Sequence, residues 1–456
     1  MRRFEDKFLT RRDLLRIGGV TMAGQHLLPP FTSNVMAAGD ATPRGSARFC
    51  IFVMLQGGQS HVDCWDLKEG PWTPPDFDVR TIGPGIKWPM SLYPNMAARL
   101  EKFTLVRSLA ARESQHGPGQ YCLQTAHRYN AALASEIPPI GAVVASEYAS
   151  RRRPADVLPP YVALNTFPHL GLARSGFLPP AFGPFPLNTV SDLPVLAAFE
   201  EERRQFQRPR ERLNRFTGRL GADLSLERKI RRDDNNHREG TAGPPPDQRT
   251  ANVFLLRDSE RERYGKTVTG DAFLLARNMV VADAGTHFIF LTQEGWDHHA
   301  DIYAGENHYR LSRELDLCLS NLLDDLEASK RPDGRSALDE TLVIAIGEFG
   351  RTPGALSNIA GRDHYPYAFT GCFAGGGVKP GQIIGKTDDQ GARIVDYGWS
   401  QDRSVQMEDI AATIYSAMGI DWTKRVEATS SGPAFQYIDA SSTPLLASRE
   451  VSELFS

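Results

Sequence analysis

Residues Thr341-Leu-Val-Ile-Ala-Ile-Gly-Glu-Phe-Gly-Arg-Thr-Pro353, with Gly361-Arg-Asp-His364 just beyond them, decide how this chain reads. An apolar run suited to a buried strand ends on Glu348. Arg351 follows, and then a loop carrying Arg362, Asp363 and His364. In α/β proteins the carboxyl ends of buried strands are where sites are built. Carboxylate and imidazole donors without a thiolate are the composition of a site for a borderline or hard cation. A capping Glu and a surface Asp-His pair would leave the same letters, so this stretch needs support from elsewhere in the chain.

Two other stretches repeat the pattern. Residues 286–299, Thr-His-Phe-Ile-Phe-Leu-Thr-Gln-Glu-Gly-Trp-Asp-His-His, pass from an apolar strand through a glycine to Asp297 and His299. Side chains two residues apart in extended backbone share a face, so these two can share one ion while His298 points away. Residues 51–66 run from Ile51 to Leu55, through Gly57 and Gly58, to Ser60, His61, Asp63 and Asp66. Strand ends also carry Ser and Asp as helix caps. Three strand-then-donor segments in one chain point to one shared site.

The 456 residues are 41 % hydrophobic and 23 % charged, with a net charge of −3. Residues 1–38 hold six Lys/Arg and three Asp/Glu, a contribution of +3 that leaves the remainder at −6. That balance excludes a general nucleic-acid binder. Thr10-Arg-Arg-Asp-Leu-Leu-Arg16 followed by a short apolar stretch and Ala37-Ala38 predicts a twin-arginine signal over 1–38. The translocase is then a transient partner, and the expected location is periplasmic or extracellular. The leader is too short and Gly-rich to span a bilayer, and no later stretch is apolar enough for stable membrane insertion. The five cysteines are scattered and lack C-x-x-C spacing, so neither a disulfide framework nor a thiolate zinc site is implied.

Helical and strand-like periods alternate. Strands are predicted at 48–56, 103–109, 159–165, 287–292 and 341–347. Helices are predicted at 91–102, 138–150, 268–284, 305–328 and 406–418. Leu311, Leu315, Leu319, Leu322, Leu323 and Leu326 recur on one face of the fourth of these helices. Residues 67–90, 112–120, 166–190 and 371–380 read as loops, the last because of Gly375-Gly376-Gly377. Residues 193–265 are dense in Arg and Glu and read as a charged helical insertion, broken by a loop near 232–249 that holds Asp233-Asp-Asn-Asn236 and Gly243-Pro-Pro-Pro246. Helix followed by strand, twice, predicts an α/β fold with a mostly parallel central sheet and helices on both faces. The main domain is expected over 47–425 and a C-terminal tail over 426–456.

The motifs Leu55-Gln-Gly-Gly-Gln-Ser-His-Val-Asp63, Gly295-Trp-Asp-His-His299, Gly347-Glu-Phe-Gly-Arg-Thr-Pro353, Gly361-Arg-Asp-His364 and Gly385-Lys-Thr-Asp388 resemble the bacterial family called domain of unknown function 1501. That family is grouped with the sulfatases and phosphomutases of the alkaline phosphatase superfamily. The resemblance covers roughly 47–425. It implies a metal-dependent hydrolase of phosphate or sulfate esters, with Asp63, Asp297, His299, Glu348, Asp363 and His364 as metal ligands. Zinc, manganese, magnesium and calcium all remain open for the divalent ion. The sulfatase C-x-P-x-R signature is absent, because Cys122 is followed by Leu-Gln-Thr, and Phe349 stands where relatives in the superfamily carry a metal-binding His. Ser114 falls where the nucleophile is expected, with His116 beside it. Arg351 and Arg362 are candidates to clamp an anionic small-molecule or polysaccharide substrate. The competing expectation is a non-catalytic exported protein that keeps the fold and binds a polysaccharide or a partner protein.

Overall fold

The computed structural model describes residues 35–36, 41–83, 85–192, 253–304, 307–427, 434–439 and 447–455. The twin-arginine leader, apart from the backbone of 35–36, and positions 193–252 of the charged insertion lie outside the described residues. Eight strands form the central sheet: β1 Phe49–Leu55, β2 Phe103–Leu109, β3 Tyr161–Leu164, β4 Phe185–Leu187, β5 Phe288–Gln293, β6 Thr341–Ile346, β7 Phe369–Ala374 and β8 Ile383–Ile384. Their order across the sheet is β8-β2-β7-β6-β1-β5-β3-β4. Every pairing is parallel except the two made by β7, which runs against β2 and β6. Strand β6 lies inside the sheet, between β7 and β1.

The period-two pattern of β1 shows why helices cover both faces. Phe49, Ile51, Val53 and Leu55 join one core, together with α3 (Val268–Ala282) and α4 (Asn307–Ala328). Cys50, Phe52 and Met54 join the other, together with α2 (Ile140–Glu147) and α5 (Met407–Ala417). Six of the seven α4 leucines, Leu311, Leu315, Leu319, Leu322, Leu323 and Leu326, are buried, each worth roughly 1.5–3 kcal/mol relative to exposure. The start of α3 is capped by the Thr267 hydroxyl, which accepts the Gly270 amide at 3.0 Å. All five cysteines are free and buried. Among the described residues no helix is long and apolar enough to cross a membrane.

Four segments expected as loops carry regular structure. Residues 67–90 contain the antiparallel hairpin Val79–Ile82 with Ile86–Pro89. Strand β4 closes one sheet edge from within 166–190. Phe369–Ala374 is the antiparallel strand β7, so the supposed 371–380 loop begins inside the sheet. Its Gly371 and the glycine triplet mask a strand whose partners supply the order. His116 opens α1 (His116–Thr125) instead of sitting in a polar loop. Pro118 is tolerated there because a first-turn residue needs no amide for the helix.

Three buried histidines tie this fold to neutral pH. Burial holds His287, His298 and His308 each near 4, below the ordinary 6.5. Between those values the unfolded chain binds more protons than the folded one, so stability is present at neutral pH and falls as pH drops from about 6.5 toward 4. Denaturant midpoints measured at pH 7.5 and pH 5 should show the lower value at pH 5. Equal midpoints would contradict the neutral assignment.

Candidate metal centre

Strands β1, β2, β5 and β6 run the same way, so their carboxyl ends meet on one edge of the sheet. Asp297 and His299 follow β5, Glu348 follows β6, and His116 begins the helix after β2. His364 returns on a short strand in which Arg351 pairs with His364. His116, Asp297, His299 and His364 bring one ligand atom each to within 4.8 Å of one another. These four residues are drawn from 249 positions of sequence, and a metal ion is the group that such donors could jointly hold.

The outer nitrogens of the three rings explain the arrangement. His116 Nδ1 lies 2.8 Å from Glu348 Oε1, His299 Nδ1 lies 2.9 Å from Asp363 Oδ1, and His364 Nδ1 lies 2.7 Å from the Ser114 carbonyl. Each of those partners accepts, so each Nδ1 donates and each Nε2 is turned inward. The three Nε2 atoms stand 3.1, 3.0 and 3.6 Å from Asp297 Oδ1, in the order His116, His299 and His364. The Nε2 atoms of His299 and His364 are 3.0 Å apart. His116 Nε2 makes no aligned hydrogen bond in spite of its nearness to Asp297. Ligand bonds of ~2.0–2.1 Å in a tetrahedron separate donor atoms by roughly 3.3 Å, and the observed spacings fall around that value.

Supporting bonds fix the ligands. Glu348 is buried and accepts from the Gly57 amide at 3.0 Å and from Gln120 Nε2 at 3.0 Å as well as from His116. It therefore orients His116 instead of joining the ligand atoms, a change from the sequence expectation. Gly57 sits at φ +111°, and a Cβ there would lie 2.4 Å from the Asp297 amide nitrogen. Gly119 lets α1 approach Glu348, because a Cβ there would lie 3.1 Å from the Glu348 Cβ. Asp363 likewise acts on His299 from outside the cluster. Phe349 is fully buried, with its ring centroid 4.4 Å from that of His364 and 5.2 Å from that of His116. It supplies an apolar wall where a further imidazole was the alternative.

Three expected residues are placed otherwise. Asp63 is buried with Arg362, which donates to its two oxygens at 2.6 and 3.1 Å, while Ser60 and Tyr303 hydroxyls donate at 2.6 and 2.8 Å. With those four donors Asp63 is not one of the clustered donors. Arg362 also donates to the Thr352 and Gly354 carbonyls, so it braces loops and is not free to clamp a substrate. Arg351 is 1 % exposed and donates to the Gly57, Gly58 and Arg362 carbonyls and to Asp297 Oδ1 at 2.5 Å. It holds Asp297 in place. Ser114 is exposed two residues before His116. Gln120, Tyr303 and His169 were not anticipated. His169 stacks on His116 with centroids 5.2 Å apart, and its Pro/Gly-rich surroundings gave no periodic signal.

The match to a known family covers residues 47–445. The chain belongs to the family described as protein of unknown function (DUF1501). No curated protein matches this DUF1501 member. Solved structures similar to it include an alkaline phosphatase superfamily protein from Vibrio parahaemolyticus, at 12 % identity and a TM-score of 0.38, covering 90 % of this chain and 76 % of that one. A phosphonate monoester hydrolase from Silicibacter pomeroyi is similar at 12 % identity and a TM-score of 0.37, with 90 % and 76 % covered. The lipoteichoic acid synthase LtaP from Listeria monocytogenes is similar at 11 % identity and a TM-score of 0.38, with 91 % and 80 % covered.

Electrostatics of the DUF1501 site yield a measurable pH effect. Burial opposes charging His116, but the nearby Asp297 and Glu348 carboxylates outweigh that and push it up to about 9. Burial likewise opposes ionising Asp297, and bonds from His116, His364 and Arg351 hold its carboxyl well below the usual range. The stability that charged His116 contributes is present below about 6.5 and lost as pH rises through about 9. An incoming ion must displace that proton, so metal affinity should rise about tenfold per pH unit up to about 9. Competition against a chromophoric chelator at pH 6.5, 7.5 and 8.5 measures the slope. A flat response would mean His116 is not displaced by the ion.

Proposed function

We propose that this protein is an exported metal-dependent hydrolase of phosphate or sulfate esters. The observation that carries the reading is the outward anchoring of all three Nδ1 atoms, which leaves three ring nitrogens and the Asp297 carboxylate converging on one point. The donor set fits a divalent ion: His116, His299, His364 and Asp297 would hold it, and three imidazoles favour zinc over manganese, magnesium or calcium. When bound, the ion supplies Lewis-acid polarisation of the ester oxygen and neutralises developing negative charge. Glu348 and Gln120 keep His116 aligned, Asp363 keeps His299 aligned, and Arg351 keeps Asp297 aligned. Phe349 excludes water from the side of the cluster it covers. Ser114, at the mouth of the site before α1, is the hydroxyl available to the ester. Anionic substrates suit the positive end of α1 that follows Ser114. Export through the twin-arginine route would deliver the protein folded and with its ion in place.

The inward commitment of Arg351 and Arg362 favours a second reading, in which the ion is structural and the protein binds a polysaccharide or partner protein without catalysis. Elemental analysis of protein folded with each candidate metal, followed by hydrolysis of 4-nitrophenyl phosphate and 4-nitrophenyl sulfate, separates the two. Metal uptake with turnover supports the hydrolase. Metal uptake with no turnover of either ester favours the second reading, and no metal uptake removes the first.

A further inference from the structure

The amino-terminal edge of the sheet, opposite the histidine cluster, carries a cavity of about 390 Å³. That is the size of a small-molecule pocket. Arg48 just before β1, Tyr148 at the end of α2, Arg151 and Arg153 beyond it, and His287 just before β5 all line it. Their side chains form one continuous wall. The Arg151 guanidinium lies 4.7 Å from the centre of the Tyr148 ring, and that ring lies 4.6 Å from the His287 ring. The His287 ring is 5.7 Å from Phe49, over which the Arg48 guanidinium sits at 5.1 Å. A guanidinium therefore stands at each end of the stack, with His287 between them.

The charges of this wall do not cancel. Arg48, Arg153 and Arg331 pair with Asp156, Asp283 and Glu340, three of each sign. Arg151 makes no ion pair among the described residues, so its charge is surplus. His287 adds an acceptor. Its Nδ1 donates to the Arg48 carbonyl at 3.1 Å, and burial keeps the ring neutral, near 4. Its Nε2 then holds a lone pair with no hydrogen-bond partner among the described residues, although His287 is only 5 % exposed. A buried acceptor left without a donor is costly, and this one belongs to a residue that lines a cavity.

We propose that this cavity is a second binding site, for a small anion that also carries hydroxyl groups and has the size of a sugar acid or sugar phosphate. The anionic group meets Arg151, and a hydroxyl donates to His287 Nε2. A neutral sugar leaves Arg151 unanswered, and an anion without hydroxyls leaves His287 unanswered. The site needs neither the metal nor catalysis. Calorimetry on the full chain at neutral pH would titrate glucuronate, glucose 6-phosphate, glucose and cyclohexanecarboxylate. At least one of the first two should bind about tenfold more tightly than either of the last two. Glucuronate alone would assign a carboxylate ligand, and glucose 6-phosphate alone a phosphate. Arg151→Gln should weaken that binding about tenfold. The melting temperature should not move, because Arg151 is exposed. His287→Phe keeps a ring in the stack but removes the acceptor, so it should abolish the advantage of glucuronate over cyclohexanecarboxylate. If that variant does not fold, Arg151→Gln decides alone. Arg310→Gln, which removes another exposed guanidinium, should change nothing. Binding of the hydroxylated anions no tighter than that of the controls, or binding untouched by Arg151→Gln, would overturn the proposal whether or not esters are hydrolysed.

Discussion

Asp297→Ala and His364→Ala should each leave a folded protein that no longer retains its ion. Wild-type protein dialysed after loading should keep ~1 divalent ion per chain, since the four donors converge within 4.8 Å of one another and could share one ion. Either substitution removes a donor and should weaken binding by more than the roughly 10–100-fold typical of losing a supporting residue. Hydrolysis of any ester should fall in parallel. Asp297 is 44 % exposed at its side chain, so water replaces it cheaply, and Arg351 keeps its three carbonyl partners. Glu348→Gln provides the graded comparison, with affinity reduced but not abolished because the amide can still hold His116. Full metal retention in both alanine variants would show that the histidine cluster is not the metal centre.

The largest stability loss should come from Arg362→Met. Asp63 and Arg362 are both almost wholly buried, and the carboxyl is held below its ordinary value because the guanidinium outweighs burial. Removing one partner of a buried pair leaves an uncompensated charge, at a cost of about 3–5 kcal/mol. Asp63→Asn combined with Arg362→Met should recover part of that loss, because no buried charge is then left alone. Denaturant unfolding of the single and double variants measures the coupling. A double variant as unstable as the sum of the singles would mean that loop bracing by Arg362, through the Thr352 and Gly354 carbonyls, is the larger contribution.

The two predictions separate residues that adjoining motifs made look alike. Asp63 and Asp297 both follow parallel strands and precede helices or loops rich in donors. Only the fold shows that Asp63 is enclosed by Arg362, Ser60 and Tyr303, while Asp297 faces three rings. Glu348 read as a ligand because it ends a strand at the right edge. Its contacts with the Gly57 amide and Gln120 turn it toward His116 and away from the shared centre. Such distinctions depend on which donor lies within about 3 Å, and residues 120, 303 and 362 are far apart in sequence.

Sequence alone determined the α/β architecture. Apolar runs with period two or continuous burial, separated by helical periods, admit few solutions other than a parallel sheet covered on both faces. The same patterns placed Asp297, His299, Glu348 and His364 on one edge, because strand direction fixes where their loops emerge. Tertiary structure decided the rest. It turned Phe369–Ala374 into an antiparallel strand, because neighbouring β2 and β6 satisfy its backbone despite its glycines. It also placed His116 at the first turn of α1, next to the others. Above all it decided which carboxylates meet the imidazoles and which meet an arginine, since pairing across the fold depends on distance in space, which local sequence periodicity does not specify.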